Sequence, residues 1–219
     1  SSCTRGHRVK IALITDQHLD GRKGNINFWN YFQKFYDNIF FPTLEKEGIT
    51  TIIDLGDTFD NRKSMDYNTF NRVDANYFRR LVNYDVHMLL GNHCTYYKNT
   101  NAINSPELLL EKYSNITIYS EPKNVKLGNK KFLMMPWINS GNREQCLEYI
   151  NQGESEIMCG HLECDGFEVT PGMHFEGGFK VSDFKKFKRV WSGHFHHKSK
   201  HGNVQYLGNP YQMYWNDYK

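Results

Sequence analysis

The sequence predicts a layered α/β sandwich, and three observations carry that prediction. In the first part of the chain, apolar β-branched runs of strand length alternate with segments of helical spacing. From about Ile116 the texture shifts to shorter runs, so two strand-rich halves with helices on their outer faces are expected. Several apolar runs end in a tight turn bearing polar side chains, the place where open α/β sheets keep their functional groups.

The elements follow in order. "VKIALIT" (9–15) reads as a buried strand ending at "DQHLD". Asn25 can cap a long aromatic-rich helix over 26–46, with Gly48 closing it. "TTIIDLGDTFD" (50–60) repeats the strand-then-turn design, and Phe70, Val73, Tyr77, Phe78 and Leu81 give helical spacing over 66–82. "VHMLLGNH" (86–93) is a third strand with a polar end. "ITIYS", "NVKLG" and "KKFLMMPW" read as short strands, and a helix is expected over 143–152. "EIMCGHLE", "RVWSGHFHH" and "VQYLGNPYQ" complete the strand-rich half.

At 219 residues, with no internal boundary or repeat, residues 9–219 are expected to form one domain. Residues 1–8 read as a polar extension, a trimmed or vector-derived start, because they lack both an initiator Met and the apolar stretch of a signal peptide. A hydrophobic share of 39% excludes a largely disordered chain, and no apolar run is long enough for a membrane-crossing helix. A net charge of +3 argues only weakly for a polyanionic partner. Five scattered cysteines without a Cys-x-x-Cys pair point to a reducing compartment.

Five places share one grammar: an apolar run, a tight turn, then side chains able to ligate metal. They are Asp16-x-His18, Gly56-Asp57-x-x-Asp60, Gly91-Asn92-His93, Gly160-His161 and Gly193-His194-x-His196. Imidazole, carboxylate and one amide oxygen suit Mn, Fe or Zn, and the lack of thiolate argues against a structural zinc finger. Residues two apart on a strand face one way, so Asp16 with His18, and His194 with His196, can each aim at one point. Each motif alone has a plainer reading: Gly-Asp-x-x-Asp as a capped turn, Gly-Asn-His as a simple turn, Gly160-His161 as a core histidine. Their joint occurrence, in order and each after a strand, favours one site.

With these motifs the chain resembles the calcineurin-like metallophosphoesterases, whose α-β-β-α sandwich carries D-x-H, G-D, G-N-H-[D/E], a lone H and G-H-x-H. The stretches "LGDTFDNRK", "GNHCTYYKNTN", "GHLECDGF", "VWSGHFHH" and "YLGNPYQMYW" resemble the nuclease subunit of SbcCD/Mre-type DNA repair complexes, especially the phage recombination type. The resemblance implies two divalent metals, Mn²⁺ foremost, with Mg²⁺, Fe²⁺ or Zn²⁺ as alternatives. One would be held by Asp16, His18 and His196, the other by Asn92, His161 and His194, with Asp57 bridging. Two such ions activate a water and clamp a phosphodiester. His93 then faces substrate, stabilising phosphate charge or protonating the leaving oxygen.

At position 94 the family has Asp or Glu, whereas this chain has Cys94. A neighbouring carboxylate can orient a catalytic histidine, and a thiol accepts hydrogen bonds weakly, so metal binding is expected to survive while the catalytic step is in question. Arg62, Lys98 and Tyr96 are candidate substrate contacts, the tyrosine by stacking on a base; solvated loop charge explains the cations equally well. "DFKKFKR" (183–189), the densest basic stretch, reads as an exposed face. DNA ends or single strands are the implied substrate, and a homodimer through helices of the first half and an ATPase subunit the implied partners. Bacterial or phage-infected host cytoplasm is the implied location. The family's DNA-facing cap and ATPase-docking segment are expected to be missing. The alternatives are a phosphoprotein phosphatase or small phosphodiesterase of the same superfamily, and a metal-bound DNA-binding or scaffold subunit weakened by Cys94.

Overall fold

A computed structural model describes residues 9–208 and 214–218. Two sheets lie face to face. The first has the order β13 (Tyr214–Tyr218), β1 (Val9–Ile14), β2 (Thr51–Asp54), β3 (Asp85–Leu89), β4 (Ile116–Tyr119). The second runs β11 (Ser199–His201), β12 (Val204–Tyr206), β10 (Arg189–Gly193), β7 (Ile157–His161), β6 (Lys130–Met134), β5 (Lys123–Leu127). A hairpin of β8 (Glu168–Thr170) and β9 (Met173–His174) stands apart from both.

Alternation along the strands builds the core in layers. Ile11 and Leu13 of β1 face Phe132, Met134 and Trp191 between the sheets, while Ala12 and Ile14 turn outward against the helices. The helices Ile26–Phe35 and Tyr67–Asn76 and the turns that continue them cover the first sheet with Phe32, Tyr36, Val73 and Phe78. The helix Arg143–Gln152 covers the second with Cys146 and Ile150. Helix, sheet, sheet, helix is the predicted sandwich.

The aromatic helix runs on to Glu47, where Gly48 at φ 64° stops it, but Tyr36–Phe40 form a π turn inside it. Pro42 follows that turn and has no N–H to give the preceding turn, so a wider local winding is accommodated there. Trp29, Phe32, Phe35, Tyr36 and Phe40 are buried, whereas Ile26, Tyr31 and Ile39 remain about half exposed. The helix expected over 66–82 is corrected to Tyr67–Asn76: Tyr77 leaves helical geometry and Phe78–Leu81 continue as a 3₁₀ turn. The basic stretch 183–189 is not a helix face either. Phe184 and Phe187 are buried, Lys186 caps the carbonyl of Asn151, and the stretch leads into the start of β10, away from the strand ends that carry the motifs. In "YLGNPYQMYW", residues 209–213 lie outside the described residues, as do residues 1–8 with Cys3.

Register brings the motifs together. β1, β2 and β3 are parallel, with Ile14 opposite Asp54 and Asp54 opposite Met88, so their three turns leave side by side. β7 and β10 are parallel with His161 opposite Gly193. Backbone bonds then stitch the loops, Asp16 N–H to the Gly56 carbonyl and His18 N–H to the Asp57 carbonyl, both at 2.9 Å.

Candidate metal centre

The strand-end turns hold their functional side chains in unusual backbone. Asp16 (φ 52°), His18 (φ 44°), Asp57 (φ 54°) and His194 (φ 98°) all lie at positive φ, a conformation that L residues hold only when their surroundings enforce it. Two glycines make the close approach possible. A Cβ on Gly91 would sit 2.1 Å from Asp57 Oδ1, and one on Gly193 would sit 2.0 Å from Thr15 Oγ1. The turns are packed together so tightly that these positions exclude any side chain.

Three groups of possible ligands result. Asp16, His18 and His196 form one, Asp57, His161 and His194 a second, and His18, Asp60 and His93 a third, each with its ligand atoms within 4.8 Å of one another. In the second group the Asn92 amide oxygen lies 3.0 Å from His161 Nε2 and 3.1 Å from His194 Nδ1, and Asp57 Oδ2 lies 3.2 Å from His161 Nε2. Asp57 stands between the groups, with His18 Nε2 3.8 Å from the same carboxylate oxygen. The seven residues singled out in the sequence as ligands are therefore neighbours, including His161, which is fully buried and still presents Nε2 to the cluster.

Charge balance shows that the cluster suits a cation. Asp16 Oδ1 is buried with no hydrogen-bond partner, 4.0 Å from His161 Nε2 and 3.9 Å from His196 Nε2. Both gaps are too long for hydrogen bonds, and the one to His196 fits two ligands of one ion, given metal–ligand bonds of about 2.0–2.2 Å. Burial opposes the charge on Asp57, yet His161, His18 and His93 outweigh it and hold its carboxyl well below the usual range. Burial likewise opposes protonation of His161, but Asp57 beside it and Asp16 push it up to about 9. Buried carboxylates that draw protons onto their imidazole neighbours are what a divalent cation would neutralise.

His93 is placed otherwise. Its side chain is 41% exposed, its backbone N–H donates to Asp57 Oδ1 at 2.8 Å, and its Nδ1 lies 3.0 Å from the Asp60 carbonyl oxygen. A carbonyl only accepts, so Nδ1 carries the proton and Nε2 is the free nitrogen. Asp60 in turn pairs through Oδ1 with His18 Nδ1 at 3.0 Å, a bond that keeps its carboxyl ionised below the usual range. Asp20 fixes this loop by accepting from the backbone N–H groups of Asp60 and Asn61. Beneath the cluster, buried Asp54 accepts from Gln17 Nε2, Thr58 Oγ1 and the Gly56 N–H, and Tyr36 donates to Gln17.

Cys94 belongs to none of the three ligand groups. It has 0% exposure, and burial pushes its thiol up to about 12, with the Asp57 carboxylate adding to the effect. Arg62 is partly buried, and its Nη1 has no hydrogen-bond partner. Tyr96 and Lys98 are exposed on the loop after His93, with Lys63 Nζ 5.5 Å from the Tyr96 ring. One residue that the sequence reading missed is Glu163, whose Oε1 lies 3.1 Å from His194 Nε2. Its spacing two residues beyond His161 was the available signal. Asp20 carried none, since its partners are backbone groups forty residues away.

Comparison with known proteins agrees with this geometry. The chain is 34% identical over 175 residues to exonuclease subunit 1 of Enterobacteria phage T4, an alignment covering 77% of this chain and 50% of that protein. The chain thus spans about half the length of that relative. Among solved structures, it superposes on a dimetal phosphatase from Danio rerio with a TM-score of 0.57 at 14% identity, covering 92% of this chain and 87% of the other, a likeness of fold. The family model described as calcineurin-like phosphoesterase matches residues 9–215. The fold, the converging Asp, Asn and His side chains and that match lead to one conclusion: the chain belongs to the calcineurin-like phosphoesterase family, whose chemistry uses divalent metal ions.

Proposed function

We propose that this chain is the catalytic domain of a two-metal DNA nuclease, cutting phosphodiesters as an exo- or endonuclease in DNA repair or recombination. The observation that carries the reading is the convergence of Asp16, His18, His196, Asp57, Asn92, His161 and His194 around an orphaned buried carboxylate oxygen. The resemblance to a phage exonuclease subunit supports DNA as the substrate. Asp16, His18 and His196 would hold one ion and Asn92, His161 and His194 the other, with the Asp57 carboxylate available to both. When bound, the pair of ions supplies Lewis acidity and a water acidic enough to ionise near neutral pH.

The chain's own residues do the rest. The bond from His93 Nδ1 to the Asp60 carbonyl fixes the half-exposed ring and leaves Nε2 free, so that in its protonated form the ring gives the Nε2 proton to the leaving oxygen or stabilises phosphate charge. Arg62, with an unpartnered guanidinium nitrogen, contacts a substrate phosphate, Lys98 adds charge, and Tyr96 offers a stacking face. Because the Asp60 carbonyl already anchors His93, Cys94 does not silence the site, and the enzymatic reading is favoured over a weakened scaffold. Mn²⁺ is the proposed metal. A homodimer through the helices of the first half, where Ile26, Tyr31 and Ile39 are about half exposed, and an ATPase subunit are the proposed partners, in the bacterial or phage-infected cytoplasm. Residues 9–219 form the nuclease domain.

The test is cleavage of end-labelled single- and double-stranded DNA in Mn²⁺. Activity abolished by EDTA, restored by Mn²⁺ and lost in His93→Ala is the expected outcome. Hydrolysis of phosphoserine peptides without cleavage of DNA would overturn the reading.

A further inference from the structure

Beside the metal centre, on the His161 and His194 side, lies a recess of about 120 Å³. Three segments build it. Trp137 forms one wall, its ring 5.3 Å from that of His194 and 6.0 Å from that of His161. Glu163 and Leu162, just past His161, form the floor, and Phe179 with the adjoining Gly178 forms the far side. Arg143 reaches in from the first position of its helix, its guanidinium 4.8 Å from the Phe179 ring centre.

The recess is held in shape by bonds that the metal centre does not need. The Asn142 side chain donates to the Trp137 carbonyl at 2.9 Å and accepts from the Asn139 N–H at 2.8 Å, and Asn139 Oδ1 accepts from Gly141 and Asn142. Asn101 holds the same Trp137 carbonyl at 3.0 Å, and the Trp137 N–H donates to the Leu90 carbonyl just before Gly91 and Asn92. The turn carrying both Trp137 and Arg143 is thus tied to the loop that supplies a ligand. On the other side, Phe179 N–H donates to the Glu163 carbonyl at 2.8 Å, and Asp165 Oδ1 accepts from Gly178 N–H at 2.6 Å.

Charge completes the picture. Glu163, the one carboxylate among the lining residues, has its Oε1 3.1 Å from His194 Nε2. Arg143 is the one arginine or lysine lining the recess, and among the described residues it forms no ion pair or hydrogen bond; its partner is the Phe179 ring. A guanidinium stacked on an aromatic face keeps its planar fork of donors free, and that fork matches the paired oxygens of a phosphodiester. Since His161 lines both the recess and the metal centre, an anion here lies next to a phosphate held at the metals.

Resting on the nuclease reading above, we propose that Arg143 and this recess form a subsite for a second phosphate, the one flanking the bond to be cut. The substrate class follows: a chain of phosphodiesters, preferred over an isolated phosphate ester because only the chain fills both places.

The experiment compares an oligothymidylate with bis(p-nitrophenyl) phosphate, which carries a single phosphate, and with the same oligonucleotide bearing neutral methylphosphonate at the flanking linkage. Arg143→Gln is expected to lower the ratio of oligonucleotide to bis(p-nitrophenyl) phosphate kcat/KM roughly 10- to 100-fold. Methylphosphonate placed at one flanking linkage should lower turnover of the unaltered protein by a similar factor, and Arg143→Gln should then add little further loss. An unchanged ratio, or full turnover with methylphosphonate at each flanking linkage in turn, overturns the subsite while leaving the nuclease reading intact. Failure of the unaltered protein to cut either substrate in Mn²⁺ removes the nuclease reading and the subsite with it.

Discussion

The two sheets contribute different chemistry to one centre. The first supplies the carboxylates of the three groups, Asp16, Asp57 and Asp60, together with His18, His93 and the Asn92 amide. The second supplies only imidazoles to those groups, His161, His194 and His196, backed by Glu163. The carboxylates within the groups therefore follow β1 and β2, and the ligands at the ends of β7 and β10 are imidazoles. Asp16 and Asp57 are nearly inaccessible, being 1% and 2% exposed, while the His196 side chain is 61% exposed. The charged half is fixed by its strained turns, and the imidazole half completes the coordination from across the sandwich. Substitutions in the two halves should consequently fail in different ways.

The largest effect is expected at Asp57, which belongs to the group of His161 and His194 and lies 3.8 Å from His18 of the other. Asp57→Asn removes the charge proposed to serve both ions and should lower turnover of bis(p-nitrophenyl) phosphate by roughly 10³-fold or more. Mn²⁺ stoichiometry by mass spectrometry should fall below two per chain. His194→Ala, which removes a neutral donor from the other sheet, should cost less. Equal losses would break the distinction between the halves.

His93→Ala comes next, with a loss in kcat of about 10²-fold or more at unchanged metal stoichiometry. A variant that lost a metal as well would make His93 a ligand, as its place in the third group with His18 and Asp60 permits.

Glu163→Gln tests the second half through a residue that touches no reacting atom in this arrangement. A carboxylate on the far nitrogen of a ligating imidazole fixes its tautomer and raises its basicity, and its loss costs about 10–100-fold in metal affinity. Mn²⁺ titration by calorimetry should show one of two sites weakened, with restoration of turnover at high Mn²⁺. A uniform loss that no amount of metal rescues would assign Glu163 a different part.

What the sequence disclosed, and what it hid, follows the same physical division. The candidate ligands were legible because each ends or follows a strand of four to six residues whose apolar run marks where the chain turns, and the helix 143–152 was legible at both ends, with Gly153 in the left-handed conformation that stops it. Long-range pairings left no local trace. His161 looked like a core histidine, and it is buried, but its Nε2 meets the Asn92 amide oxygen sixty-nine residues away. The π turn at Tyr36–Phe40 and the break at Tyr77 occur within helical periodicity that the surrounding core enforces. The anchor of His93 was invisible for a different reason: it is a main-chain oxygen of Asp60, and side-chain motifs do not encode carbonyls.

That anchor gives the smallest predicted effect on catalysis and the sharpest test of position 94. If the Asp60 carbonyl holds Nδ1, then Cys94→Ala should leave turnover within about 3-fold and cost only the packing of a small buried side chain, about 1 kcal/mol. Restoring the family's carboxylate with Cys94→Asp should not raise turnover, since the histidine it would orient is already held. It should instead lower the melting temperature, because a carboxyl in this closed space stands near the Asp57 carboxylate, and burial already pushes the native thiol up to about 12. Such a group has a raised folded pKa, so its penalty is absent well below pH 4 and grows as pH rises toward neutrality, reaching roughly 1–3 kcal/mol. Thermal melts of the two proteins at pH 4 and pH 7 measure the difference. A gap in melting temperature that closes at low pH, with equal turnover, places Cys94 in the packing beneath the centre; a large gain in turnover for Cys94→Asp would return it to the catalytic apparatus.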